Sequence, residues 1–288
     1  TTPWTIPGNR AVAFGPEIVY GVYEIEAIKP SSLMVQGERV VLAEALAEAF
    51  AERAGIEKWK LISKILGEEL SGTITHHPFF EAGYPIEAPL FGGTFVSTEQ
   101  GTGFVHIAPG HGADDFELGR RHGLEVPETI SDSGSFLPEI PLFGGSHVYK
   151  VNPDVIHRLQ EYGKLVARES YVHSYPHSWR SKKPIIFRNT PQWFINMDES
   201  GLRANALRAI DETRWVPETG LNRIRGMVET RPDWCVSRQR AWGVPIAVFV
   251  DKKTGEPLRD PEVVERVAKA VEKDGADVWF TADPALFL

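Results

Sequence analysis

Residues 101–116, Gly-Thr-Gly-Phe-Val-His-Ile-Ala-Pro-Gly-His-Gly-Ala-Asp-Asp-Phe, constrain the fold more than any other stretch. They read as a strand, a glycine-rich turn and a helix start. Period-two alternation puts Phe104, His106 and Ala108 on one face of the strand and Val105 and Ile107 on the other. Pro109-Gly110 ends the strand, and Gly110 and Gly112 permit either close backbone approach or a positive φ. Residues 113–122 then read as a short helix stopped by Gly123. Asp114 and Asp115 lie in its first turn and basic residues in its last, as the helix dipole favours. A strand histidine and a helix-start carboxylate thus face a tight turn from opposite ends. That arrangement suits a small polar ligand carrying a positive charge.

The chain has 288 residues, of which 42% are hydrophobic and 24% charged, so a packed core is expected in one large or two modest domains. A formal net charge of -8 argues against a strongly basic nucleic-acid coat and leaves room only for a local phosphate-binding patch. Cys235 is the single cysteine, which excludes an intrachain disulfide and a multi-cysteine zinc site. No apolar run reaches the roughly 18 residues of a membrane span, and no signal-peptide pattern opens the chain. The cytoplasm is the expected compartment and no membrane partner is expected. The abrupt start, Thr1-Thr2-Pro3-Trp4-Thr5, reads as a segment of a longer protein.

Elsewhere short strands and Gly/Pro turns dominate. Strands are expected at 11–14, 18–25, 59–70, 165–175, 184–188, 191–197, 246–251 and 278–280. Helices are expected at 40–53, at 152–162 with Asn152 as cap, and at 198–211, 218–229 and 261–274. Many strands with few helices predict an α+β fold built on a small mixed barrel. A boundary is expected near 230, giving 1–230 and 231–288. The pairs His76-His77 and His173/His177 lack a third ligand or a helical spacing, so no metal is expected. Arg223, Arg225, Arg231, Arg238 and Arg240 are interleaved with Trp215, Trp234 and Trp242. Such a cluster either holds a nucleotide backbone and stacks a base, or is a solvated helical face over core tryptophans.

Five segments in one order carry a family resemblance: 1–9 (TTPWTIPGN), 101–116, 173–180 (HSYPHSWR), 185–194 (IIFRNTPQWF) and 233–245 (DWCVSRQRAWGVP). Together they resemble the isoleucyl-tRNA synthetases of class I, in the inserted editing (CP1) domain and the return towards the catalytic domain. The valyl and leucyl siblings typically place an arginine after the threonine pair, where this chain has Pro3-Trp4, and another residue at the position of His106. The family's ATP-binding HIGH and KMSKS motifs do not occur in these 288 residues. The resemblance therefore implies the hydrolytic half: a β-barrel editing domain, with peripheral helices, that cleaves valine wrongly esterified to the isoleucine tRNA. It implies no cofactor for editing, ATP and magnesium for the parent enzyme, and as partners the tRNA acceptor end and the rest of the synthetase.

By the same resemblance, Asp115 is the carboxylate that pairs with the substrate ammonium, kept ionised by the helix dipole. His106 limits the side-chain space and contacts ribose or ester. Thr1, Thr2 and Thr5 form a hydroxyl-rich wall, with Thr2 orienting ester or water. Asp115, Thr2 and His106 are the expected catalytic set. Trp4, Thr102 and His111 complete the expected substrate contacts, and Arg231, Trp234, Arg238 and Arg240 are the expected tRNA contacts. No side chain is an evident nucleophile, so a positioned water is expected to attack, with the general base left open between protein and a tRNA ribose hydroxyl. Two other readings stay open: a tRNA-docking module inactive in isolation, and hydrolysis of valyl-adenylate.

Overall fold

The computed structural model describes residues 1–170, 172, 174–238 and 243–288. The chain divides into two compact units, Thr1–Thr190 and Pro191–Leu288. The boundary expected near 230 falls inside the second unit.

In the first unit a 3-10 segment, Pro3–Gly8, leads into β1 (Ala11–Phe14). Then follow β2 (Val19–Ile28), β3 (Arg39–Ala43), α1 (Ala47–Ala54) and β4 (Ile56–Leu66). After them come β5 (Ile74–His76), β6 (Glu87–Gly92), β7 (Phe104–Ile107), α2 (Ala113–Arg121) and α3 (Asn152–Glu161). Two sheets result, ordered β5-β6-β1-β7 and β3-β2-β4. β1 runs parallel to β6 and antiparallel to β7, with Val12 opposite His106. Phe14, Tyr20, Ala43, Leu46, Leu70 and Leu90 form one cluster drawing on both sheets. A second cluster joins Trp4 and Ile6 to Phe79, Phe136, Phe143 and the buried face of α3, Val155 and Leu159. The α+β expectation holds. Among the described residues the strand pairing is that of two sheets, and no closed barrel is seen in it.

Several element expectations change. Residues 40–43 pair with β2 instead of starting a helix; a 3-10 turn, Glu44–Leu46, follows and α-helix begins at Ala47. Val151 takes the N-cap position of α3, so Asn152 is not its cap. The 165–175 strand is not formed among the described residues, and at 184–188 only an isolated His177–Pro184 bridge appears.

The second unit holds β8 (Phe194–Ile195) and α4 (Leu202–Glu212), then α5 (Thr219–Glu229) and β9 (Trp234–Cys235), and finally α6 (Pro261–Asp274) and α7 (Val278–Thr281). β8 and β9 pair antiparallel. α4 starts later than expected because the Asn196 side chain accepts the Asp198 and Glu199 amides and Gly201 takes φ 69. α6 begins and ends as expected, with Asp260 accepting the Glu262 amide. Residues 278–280 are helical, not strand, and 246–251 form only the Val250–Pro257 bridge. Among the described residues no helix is long and apolar enough to cross a membrane.

Candidate functional site

The site is built upward from the Pro3–Gly8 segment. Pro3 forces Thr2 into an extended conformation (φ -72, ψ 122). The Thr2 carbonyl then accepts both the amide of Thr5 (3.1 Å) and its hydroxyl (2.9 Å). Thr1 and Thr2 are exposed and Thr5 is half-buried.

His106, on β7, meets this segment. Its Nδ1 lies 2.8 Å from Asn9 Nδ2 and its Nε2 lies 3.3 Å from Thr5 Oγ1. The Asn9 amide also donates to Ala11 O (2.9 Å), which fixes its orientation. His106 Nδ1 is therefore an acceptor and Nε2 carries the proton, donating to Thr5 Oγ1 while that hydroxyl donates to Thr2 O. Burial pushes the His106 pKa down to about 3, so the ring is neutral at physiological pH. With both nitrogens engaged, His106 is a fixed wall and donor, not a free base. Nothing in the sequence around Asn9 marks it as a partner of His106. No periodicity marks an asparagine whose partner is 97 residues away.

Asp115 sits in the first turn of α2. Its Oδ2 accepts the Ala108 amide at 2.8 Å, tying the helix start to the end of the strand that carries His106. A Cβ on Gly112 would lie 2.9 Å from the Asp115 carboxyl carbon, so glycine makes room for this carboxylate. The helix start favours the charged carboxylate, and burial works against it. Burial raises its pKa above the usual carboxylate value, with the Ala108 hydrogen bond opposing. Among the described residues no hydrogen bond joins Asp115 to His106 or the threonines directly; the strand backbone connects them through Ala108.

Trp4 and His111 are placed in packing. Trp4 is 6% exposed within the core cluster, and its ring meets that of His111 at 4.8 Å, edge-on. His111 Nδ1 donates to Phe187 O (3.0 Å) and Nε2 accepts from Thr129 (3.0 Å), so both nitrogens are satisfied. Thr102 is half-buried and accepts the Phe104 amide at 3.4 Å. His77 is buried, donates from Nε2 to Ile6 O (2.9 Å) and is pushed down to about 4 by that burial. Among the described residues no group of His, Cys, Asp and Glu could hold a metal ion. Clefts of about 560 Å³ (lined by Arg214, Trp215 and Pro217) and about 370 Å³ (lined by His76, Tyr162 and Lys164) include none of Thr2, His106 and Asp115.

In the second unit Arg231 is exposed and Trp234 is 46% exposed on β9. Arg238 donates to the carbonyls of Cys235 (3.0 Å) and Ser237 (2.8 Å), so it holds its own loop. Arg240, Trp242 and His173 lie outside the described residues. Cys235 Sγ contacts Gln192 Oε1 (3.6 Å) and Ser237, which is a structural role.

Residues 8–287 match the family described as tRNA synthetases class I (I, L, M and V), and the chain belongs to it. It is 48% identical to the isoleucine–tRNA ligase of Gluconobacter oxydans, over 100% of this chain and 31% of that protein. Against the isoleucine–tRNA ligase of Pelagibacter ubique it is 47% identical, again over 100% of this chain and 31% of that protein. The chain thus spans about a third of the length of these relatives. Among solved structures, the editing domain of the Plasmodium knowlesi cytosolic leucyl-tRNA synthetase aligns with 58% of this chain and 82% of its own, at a TM-score of 0.44 and 14% identity.

Proposed function

We propose that the first unit hydrolyses the aminoacyl ester of valine misattached to the isoleucine tRNA, as the editing part of an isoleucine–tRNA ligase. On this reading the two sheets are walls of the family's editing barrel. One methylene separates valine from isoleucine and is worth only about 1–3 kcal/mol in an apolar pocket, so a second, hydrolytic sieve is needed. The observation that carries the reading is the pairing, across one strand-turn-helix, of a neutral donor histidine with a partly buried carboxylate. The substrate presents an ammonium, an ester and a ribose. Asp115 supplies charge for the ammonium, and the incoming cation opposes the upward push that burial gives its pKa. His106, held by Asn9 and Thr5, supplies a rigid boundary for the side chain. Exposed Thr2 offers a hydroxyl to ester or water. A positioned water attacks, and the tRNA's own ribose hydroxyl is the nearest candidate base, since both His106 nitrogens are occupied. Trp4 and His111 support the wall from behind.

The chain is tested with valyl- and isoleucyl-tRNA(Ile), and separately with valyl-adenylate. Cleavage of the first alone is expected. Asp115→Ala removes a charge-assisted contact worth about 1.5–3 kcal/mol and is expected to slow hydrolysis about 10- to 100-fold. His106→Ala is expected to admit isoleucyl-tRNA. An inactive wild type that still binds tRNA points instead to a docking module, and cleavage of the adenylate alone points to hydrolysis before transfer.

A further inference from the structure

The Pro3–Gly8 segment cannot hold itself in place. It is a short 3-10 turn interrupted by Pro7, and such turns leave end groups unpaired and bond poorly inside. Side chains from far along the chain supply what is missing. Asn152 Oδ1 accepts the Trp4 amide at 3.0 Å, across 148 residues. His77 Nε2 donates to the Ile6 carbonyl at 2.9 Å, across 71 residues. These two bonds fall on the residues either side of Thr5, whose hydroxyl meets His106. The Ile6 carbonyl also accepts the Asn9 amide (2.9 Å), and Asn9 holds the other nitrogen of His106.

Each clamp residue keeps one polar group for the segment beyond its local contacts. Asn152 stands at the first position of α3, where its sequence context reads as a cap, yet the cap position is Val151 and the Asn152 side chain reaches Trp4. His77 is 1% exposed and stacked on Tyr84 at 4.5 Å, with Nδ1 taking the Phe79 amide at 3.0 Å. Its ring is therefore immobile, and its one N–H is aimed at the site segment.

We propose that Asn152 and His77 are positioning residues of the hydrolytic site, a two-point clamp on Trp4 N–H and Ile6 C=O that fixes Thr5 and Asn9 and, through them, His106. The inference rests on the deacylase reading above. The clamp touches no substrate and acts on geometry. A displacement of about 1 Å at such a site costs on the order of 100-fold in rate, so the effect belongs in kcat and not in KM.

The test uses the whole chain, valyl-tRNA(Ile) hydrolysis and hydrogen exchange at the Trp4 amide. Asn152→Ala is expected to lower kcat about 10- to 100-fold with KM within about twofold, and to lose protection at Trp4. Asn152→Asp keeps an acceptor for that amide and is expected to recover kcat to within about threefold of wild type and to restore protection. Should Asn152→Ala fail to fold, His77→Gln, which keeps a donor towards Ile6 O, is compared with His77→Leu, which does not; a kcat gap of about tenfold or more is expected. Wild-type kcat in Asn152→Ala, retained Trp4 protection in it, or equal kcat in the two His77 variants overturns the clamp while the deacylase reading stands. A wild type that does not cleave valyl-tRNA overturns that reading, and the clamp's catalytic role with it.

Discussion

His106 and His77 are each neutral chiefly through burial, helped by nearby cationic groups, and each has both ring nitrogens in use. Their folded pKa values, about 3 and about 4, lie below the unfolded value of about 6.5. As pH falls below that value the unfolded chain takes up protons that the folded chain refuses. The stability they contribute is full above about pH 6.5 and is lost as pH falls towards 4 and then 3. Urea midpoints are thus expected to be flat near neutrality and to fall from about pH 6.5 to 5, before carboxylates titrate. His77→Gln should show a shallower fall over that window; an equal slope would show that His77 is not among the groups that take up protons on unfolding. Asp115 has the opposite sign. Its folded pKa is raised, so the favourable neutral form is lost as pH rises through it, and ionised Asp115 costs stability at neutral pH. Asp115→Asn keeps an acceptor for the Ala108 amide without the charge. It is expected to melt no lower than wild type at neutral pH while hydrolysis falls about 10- to 100-fold, a trade of stability for function. The positions of His106 and Asp115 were legible in the sequence, from alternation and from the helix start. The upward shift of Asp115 was not, because the dipole argument omits desolvation, which only the packed structure reveals.

Between elements, the two sheets of the first unit meet at Tyr20. It is fully buried; its oxygen accepts the Gly15 amide (2.9 Å) and donates to Gly103 O (2.5 Å). Gly103 itself takes φ 78, and a Cβ on it would lie 2.5 Å from Ala43 Cβ, so the loop before β7 is pressed against the end of β3. Tyr20→Phe leaves that amide and carbonyl buried without their partner. It is expected to cost about 1–3 kcal/mol in urea unfolding, and a smaller loss would mean that water replaces the hydroxyl. This joint also shows what the sequence could not say. The Ala/Leu/Glu-rich run 43–53 carries the helix propensity of 40–53; the β-branched pair Val40-Val41 favours strand and finds a partner in β2, so pairing holds to Ala43 and helical turns follow from Glu44. Residues 165–175 look like a strand by alternation but acquire no ladder among the described residues, since alternation predicts a face and not a partner. Where the signal is local, as in the Asp260-Pro261 start of α6, reading and structure agree.

At the scale of the molecule, the groups proposed for hydrolysis all lie in Thr1–Thr190, and the described residues expected to touch tRNA all lie in Pro191–Leu288. Chemistry and affinity should therefore separate. The residues of the second unit differ in what they are free to do. Arg238 already holds two carbonyls of its own loop, so Arg238→Ala would disturb that loop as well as any phosphate contact. Arg231 and Trp234 make the cleaner pair, one an exposed cation and the other a ring 46% exposed on a two-stranded ladder. Stacking of a base on an aromatic ring is worth about 1–3 kcal/mol, so Trp234→Ala is expected to raise KM for valyl-tRNA about 5- to 100-fold with kcat unchanged. Arg231→Ala should raise KM less and reduce its salt dependence, since a phosphate contact acts through counterion release. Steady-state hydrolysis at two salt concentrations checks both. A fall in kcat with KM unchanged would place these residues in support of the chemistry, and no change in either would leave the arginine–tryptophan cluster as the solvated face that its composition equally allows.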